Sequence, residues 1–542
     1  MVNSRRHLQF VLVSVFVLSM LVVPISPSFS RGAVSPAGLQ FNAEDPLYNN
    51  LTEAIEIREH DENKTIDGHT IFTLARCMVN PESPRGWSVV DTGFMSIDMD
   101  GDIEYYQSGF RGLTNKLINS TTVVKAGLPE APNNLSFWNM ATNTSEVFPV
   151  PSGHHDFVYN PVDEEFMILT YESSNEMWNG LPVGYDDIWI YDAEGNVKWH
   201  WNATEQLPFN SSMYDSDINQ TFHGRTDWMH GNALVWDWEN DAVYYNVRNL
   251  NTFYKINTET KEIEWGAGEY GDFTLIDEDG NEVNDSLWFQ SHSLERIGSN
   301  RFMMFDNDMY NYSNPDSMAA EHGHSRYIEL VVDEDAGTVR ETWTWSAPDD
   351  TVYYFPRSGG DADRLPNGNT LGIFGVKGNA FPGYSYPIFL TEVTPEGDIA
   401  WEAKFQNTTD YYYWIYRVQR SYDAPLVELG QVESGTLELQ MWNAYYENHE
   451  SPATVSILEG STVLAEESFN FSRYWQATDL SLDLPALSGG THNLTISVEN
   501  ADGSVGSASI TVEIPANYTP FILVGAGAVV IVVALVVYMK KR

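Results

Sequence analysis

Along most of the chain, apolar and polar positions alternate in short runs broken by Gly, Asn, Asp and Pro, which is the period of half-buried strands and not of helices. The alternation also repeats on a longer scale. The stretch "MHGNALVWDWENDAVYYN" (229–246) lines up with "HHDFVYNPVDEEFMILTYE" from His154, "SHSLERIGSNRFMMFDND" from Ser291 and "GGDADRLPNGNTLGIFG" from Gly359. Each copy starts with a polar slot, runs through a short strand, turns, and returns on an apolar strand. The slot holds His155, His230, His292 and then Gly360-Asp361, recurring after 75, 62 and about 68 residues. A second hairpin follows each first one, at 188–201, 253–268, 327–345 and 388–405, and ends on Trp199, Trp265, Trp345 or Trp401. A weaker copy, "FMSIDMDGDIEYYQ", lies at 94–107. Two hairpins per period make a four-stranded sheet, and sheets repeated at such a period predict a β-propeller of five or six blades between about residues 60 and 420. The strand that opens each repeat is then innermost, so the slot histidines converge at one mouth of the channel.

The pattern changes at 423–514. Strands such as "GTLELQMWNAYY" and "HNLTISVENADGSVGSASITVEI" are separated by Gly, Asn and Ser turns. Seven or so strands in this length predict an immunoglobulin-like β-sandwich, read as a spacer packed loosely on the propeller. No catalytic constellation stands out in it.

Both ends carry apolar runs. Arg5 and Arg6 precede Phe10–Ile25, so residues 1–30 read as a signal peptide or N-terminal anchor. Phe521–Tyr538 is an apolar run of 18 residues closed by Lys540, Lys541 and Arg542, which predicts a transmembrane helix over 519–539 with the basic tail inside. The expected location is therefore the cell membrane, single-pass, with the large N-terminal region extracytoplasmic. Fourteen Asn-X-Ser/Thr sequons agree with an exported, glycosylated surface. Cys77 is the only cysteine, so no intrachain disulfide can form.

The chain has 542 residues, 13% of them aromatic, and a formal net charge of −47. Such a polyanion repels nucleic acid. It also means that an anionic ligand can bind only where Arg or His is concentrated. The run "DEDGNEVND" (277–285) lacks the spacing and terminal Glu of a calcium loop and reads as a hairpin turn. A metal held by His154, His155 and Asp156 with His230 and His292 is a further possibility by residue type. No Gly-rich phosphate loop or nucleophile elbow is present.

In order along the chain, "DWMHGN", "VRNLNTFYKI", "FQSHSLERIGSNRFMMFDND", "SRYIEL" and "RLPNGNTLGIFG" resemble the arylsulfate sulfotransferases, in particular the Arylsulfotransferase group of archaea and bacteria, over roughly residues 60–415. The resemblance implies a six-bladed propeller. It also implies transfer of a sulfuryl group from a phenolic sulfate donor to a phenolic acceptor through a sulfated histidine, with no cofactor. By the same resemblance His230, His292 and Arg326 are catalytic. The family's characterised enzymes place a later histidine as sulfuryl acceptor, but here none occurs between His324 and His449. His322 and His324 could supply it by type.

The residue types suffice for this chemistry. A neutral imidazole can attack, a protonated one can donate to the leaving oxygen, and an arginine fork stabilises the oxyanion. His155, Arg248, Asn232 and Asp361 complete the expected substrate-binding set. The alternative is a non-catalytic, membrane-anchored propeller that binds a ligand, glycan or metal.

Overall fold

The computed structural model describes residues 51, 54–80, 87–109, 114–126, 133–214, 221–308, 325–347, 359–374, 387–406, 412–433, 435–514, 521–525 and 528–532. Almost every described element is a strand, and six antiparallel meander sheets follow one another along the chain. Sheet two comprises Asn115–Leu117, Thr122–Ala126, Asn134–Asn139 and Thr144–Pro151. Sheet three comprises Phe157–Asn160, Glu165–Trp178, Leu181–Asp192 and Val197–Trp201, and sheet four Gly231–Asp237, Ala242–Val247, Thr252–Asn257 and Ile263–Gly268. Sheet five holds His292–Arg296, Arg301–Asp306, Arg326–Asp333 and Thr338–Ser346, and sheet six Ala362–Arg364, Thr370–Phe374, Ile388–Val393 and Ile399–Phe405. Sheet one is discontinuous in sequence. Its strands His69–Val79, Trp87–Ile97 and Ile103–Ser108 are completed by Tyr412–Ser421, which pairs with His69–Val79 from the far end of the repeat region.

Apolar residues pack between successive sheets and bury the central strands on both faces. Gly231–Asp237 and Ala242–Val247 are buried at every position. Tyr244, Phe253 and Trp265 of sheet four meet Leu294, Phe302 and Ile328 of sheet five. Leu371, Leu390 and Trp401 of sheet six meet Phe72, Met95 and Ile415 of sheet one in the same way. The repeated tryptophans add a polar latch. Trp199 Nε1 donates to Thr258 O at 2.7 Å, Trp345 Nε1 to Gly397 O at 3.0 Å, and Trp401 Nε1 to Met99 O at 2.8 Å. Each acceptor sits in a turn of the next sheet, and the last of these latches joins sheet six to sheet one.

Two sheets follow. Leu426–Glu433, Thr436–Trp442 and Thr478–Asp483 form one, and Thr462–Phe471, Ser451–Glu459, Gly490–Asn500 and Val505–Ile514 the other. Leu437, Leu439, Val455, Ile457, Leu494 and Ile496 fill the space between them. Their seat on the propeller-like part is charged and buried, not loose. Asp237, 1% exposed at its side chain, pairs with Arg296 and, at 3.2 Å, with Arg473. Arg296 in turn lies against the Tyr244 and Tyr474 rings. Loops around a sandwich are short and variable in character, so nothing in their sequence flags such a joint.

The transmembrane helix expected over 519–539 is not seen among the described residues of that span. Within the described part, Phe521–Gly525 pairs antiparallel with Ala528–Val532, and no described helix is long and apolar enough to cross a membrane. The run is rich in Val and Ile, whose branched side chains favour extended backbone, and Gly525-Ala526-Gly527 interrupts it. Residues 1–30, with the expected signal or anchor, lie outside the described residues, as do His322 and His324.

Candidate functional site: a histidine cluster above a layer of charge

Two of the slot histidines sit just before an inner strand, and the third opens one. His155 (φ 57°) and His230 (φ 54°) are left-handed, a conformation uncommon outside Gly, Asn and Asp and one that aims the side chain away from the strand that follows. The rings of His155 and His230 lie 4.7 Å apart between centroids. Tyr416, on the strand that closes sheet one, lies 6.1 Å from His155 and 5.9 Å from His292. Phe222 stands 5.1 Å from the His230 ring and 6.1 Å from that of His155. Its short hairpin, Thr221–Phe222 with Arg225–Asp227, is an addition to sheet three. Together Phe222, Tyr171 and Tyr416 make an aromatic wall beside the imidazoles.

Hydrogen bonds fix the rings. Asp227 Oδ2 lies 2.6 Å from His230 Nδ1, and since a carboxylate only accepts, the Nδ1 proton is there and Nε2 is left for chemistry. Asn307 donates through Nδ2 to Gly359 O at 3.0 Å, which turns its Oδ1 to His292 Nδ1 at 2.6 Å. His292 therefore also keeps Nε2 unprotonated. His155 Nδ1 lies 2.5 Å from His154 Nδ1, and His154 Nε2 lies 2.9 Å from Asp186 Oδ1. His154 Nε2 and Asp186 Oδ1 do not meet in hydrogen-bond geometry, so the contact between the rings places one shared hydrogen on one or other Nδ1. With that hydrogen on His155 Nδ1, His155 Nε2 carries a lone pair. Burial, and next the charges of His230, His154, His292 and Arg248, hold the His155 pKa well below the ordinary histidine value. Burial first and Arg248 second do the same for His292.

A layer of ion pairs lies directly beneath. Asp156 Oδ1 meets Lys116 Nζ at 2.7 Å, and its Oδ2 meets Arg417 Nη2 at 3.3 Å and Leu234 N at 2.9 Å. Arg417 Nη1 also donates to Ser293 Oγ at 3.1 Å, and Ser293 donates to Asp361. Arg417 and Lys116 hold the Asp156 carboxyl below its usual range despite burial. Arg417 Nε is buried and has no acceptor among the described residues.

The expected residues divide into three groups. His155, His230 and His292 come together, and Arg248, buried at the end of Ala242–Val247, stands within electrostatic reach of both His155 and His292. Asn232 and Asp361 are near but committed to the frame. Asn232 Nδ2 donates to Ser291 O at 2.8 Å, and Asp361 Oδ2 accepts from Val418 N at 2.7 Å. Arg326 is turned to a different task. It donates to Asp306 Oδ2 at 3.0 Å, Glu341 Oε1 at 2.8 Å and Leu287 O at 2.6 Å, and so fastens the segment whose Asn307 holds His292. The arginine that an inner strand brings to Asp156 and Ser293, beside the histidines, is Arg417. It escapes the repeat alignment because its strand completes sheet one from the C-terminal side. His154 and Asp227 were legible only as neighbours in "HHD" and "DWMH", and no motif marks Asp186. Among the described residues no group of three or more His, Cys, Asp or Glu side chains is arranged to hold a metal ion.

In sheet six the slot is Gly360, with φ 120°, and a Cβ there would run into the Phe305 ring. No side chain fits at this slot without displacing Phe305.

A propeller-like stack of meander sheets with imidazoles and arginines gathered at the inner strands defines the class of protein. The chain belongs to the arylsulfotransferase family: the model described as Arylsulfotransferase (ASST) matches residues 61–417. A comparison with curated proteins finds no match. Among solved structures it is similar to the Kuenenia stuttgartiensis hydrazine synthase, at 10% identity and TM-score 0.29 over 60% of this chain and 74% of that one. It is also similar to the β-propeller domain of the Trilobed protease from Pyrococcus furiosus, at 8% identity and TM-score 0.24 over 74% and 95%.

Proposed function

We propose that the six sheets close into one six-bladed propeller whose histidine-lined mouth transfers a sulfuryl group between phenols. The observation that carries this reading is the convergence of His155, His230 and His292 beside an aromatic wall, with Arg248 in reach, in a chain otherwise strongly anionic. His155 Nε2 attacks the sulfur of an aryl sulfate, the S–O bond to the aryl group breaks, and its electron pair leaves on the phenolate. His230, in its protonated form, gives that oxygen its proton through Nε2, with Asp227 balancing the charge the ring carries. An acceptor phenol then attacks the N-sulfo group on His155, returning its proton to His230 as the N–S bond breaks. Arg248, and Arg417 from below, offset the charge on the sulfuryl oxygens. Phe222 and Tyr416 stack against the phenol rings. We place the reaction outside the cytoplasm, on the strength of the N-terminal apolar run and the fourteen sequons.

The test is turnover of a chromogenic aryl sulfate with a phenol acceptor, followed by mass spectrometry of the protein exposed to donor alone. Phenolate release and a sulfuryl adduct on a cluster histidine are expected. Absence of both would sink the reading. A second reading, ligand binding without transfer, rests on Gly360, because the sheet-six slot can carry no histidine.

A further inference from the structure

Below the charge layer the inner strands do not close on one another. They leave a cavity of about 120 Å³, floored by the Tyr446–His449 loop of the sandwich. One side is apolar, formed by Leu117, Phe157, Val158, Leu234 and Leu294. The other side carries Glu295 and Asp363. In the layer above, Lys116 and Arg417 face Asp156 and Asp361 as well as these two carboxyls, so two cations stand against four carboxyls. Glu295 accepts one long bond, from Arg364 N at 3.3 Å. Among the described residues Asp363 has no hydrogen-bond or ion-pair partner, and the surface it retains faces this cavity. Burial and then the charge of Asp361 push the Glu295 pKa up to about 8, and burial, Asp361 and Glu295 raise that of Asp363.

We propose that this cavity is a second binding site, for a small organic ammonium ion with an apolar body. A cavity of comparable size takes a benzene-sized molecule when its walls are apolar. Here the same space ends on two carboxyls that the nearby cations do not fully offset, and such an excess of acid in a half-buried site calls for a cation or for protons. An inorganic metal ion fits poorly, because the described carboxyls and imidazoles are not grouped to ligate one. The site stands apart from the histidine cluster and does not depend on sulfuryl transfer.

Other charged groups around the pair come from three sides: Asp361 in sheet six, Lys116 and Arg417 above, and Glu447 and His449 from the sandwich loop below. Glu447, raised to about 7 chiefly by burial, is held by Asn443 and Ser451. Binding of an amine therefore strengthens as pH rises from 6 through 8 and Glu447 and Glu295 lose their protons.

The experiment is calorimetry of the full chain with benzylamine, its neutral counterpart benzyl alcohol, and calcium, at pH 6 and pH 8.5. Benzylamine should bind at one site, more tightly at the higher pH, and benzyl alcohol should not follow this pH trend. Asp363→Asn with Glu295→Gln should weaken the amine by roughly thirtyfold or more, as expected for removing the partner of a buried charge. The wild-type pH series keeps the test valid if that variant fails to fold. Equal binding of amine and alcohol, no binding of either, or preferential binding of calcium would overturn the proposal.

Discussion

His155 and His230 each bear a left-handed backbone and a half-buried polar ring, and such costs persist where a side chain must point one way. If His155 is the attacking group, His155→Ala should remove activity by a hundredfold or more, roughly the loss typical of a positioned nucleophile or base. Asp227→Asn should lower the rate while leaving the pocket shape intact, since an amide can face His230 with its N–H and impose the wrong tautomer. A kcat loss with little change in KM would separate this from loss of binding. The pH dependence follows from the depressed pKa values of His155 and His292. Below about 6.5 the unfolded chain takes up protons at these positions that the folded chain does not. Their contribution to stability is thus intact above 6.5 and shrinks as pH falls toward the folded values. Denaturant midpoints measured from pH 7.5 to pH 5 should decline, and less steeply in a His155→Asn, His292→Asn double variant.

At the scale of the strand and hairpin, the two halves of the repeat behave differently. The outer hairpins were readable because a Trp recurs at the end of each, and three of the four indoles latch the next sheet. Trp401→Ala should cost about 3–5 kcal/mol from the cavity alone, with the abandoned Met99 carbonyl adding to it, as read in the unfolding midpoint. The inner strands were harder. Sheet two has no slot histidine, and its inner strand Asn115–Leu117 is three residues long, so no period search finds it. Arg326 was expected among the site residues and has other partners for a related reason. Arg326 sits in a family motif, yet strand pairing sets it opposite Asp306 and within reach of Glu341, where a guanidinium finds two carboxylates. Arg417 carries no motif, and its place follows only from a pairing with residues far upstream. Gly360 gives the element-scale test of packing. Gly360→Ala meets both Phe305 and an unfavourable φ, and should destabilise by roughly 1–3 kcal/mol, partly relieved by Phe305→Ala.

Over the whole molecule, composition pointed to a large β protein, and the change of pattern near residue 423 marked where a second set of sheets begins. The joint between the parts was invisible in sequence because it depends on Asp237, Arg296, Arg473 and Tyr474, which lie far apart along the chain. One more contact at this junction is pH-sensitive. His69 donates to Asp423 at 2.8 Å and also meets Glu104, and although burial opposes it, these bonds raise its pKa to about 9. That support is complete below about 6.5 and is lost as pH rises through 9. Hydrogen exchange of Leu426–Glu433 should therefore quicken between pH 7 and pH 9.5 after correction for intrinsic rates, and Asp423→Asn should reduce the change.

The strand Tyr412–Ser421 has a consequence for how the chain is made. His69 and Asp423, which flank the pairing that completes sheet one, are 354 residues apart. At ribosomal rates of roughly 5–20 residues per second, about 20 to 70 seconds separate their synthesis. Throughout that interval His69–Val79 is an open sheet edge, able to pair with whatever extended segment it meets first. The strand that brings Arg417 and Tyr416 to the histidines is also the last of the inner strands to be made. If the six sheets close as proposed, site assembly and ring closure are one event, and a nascent chain stalled short of residue 412 should carry five inner strands, an unpaired edge and no working pocket.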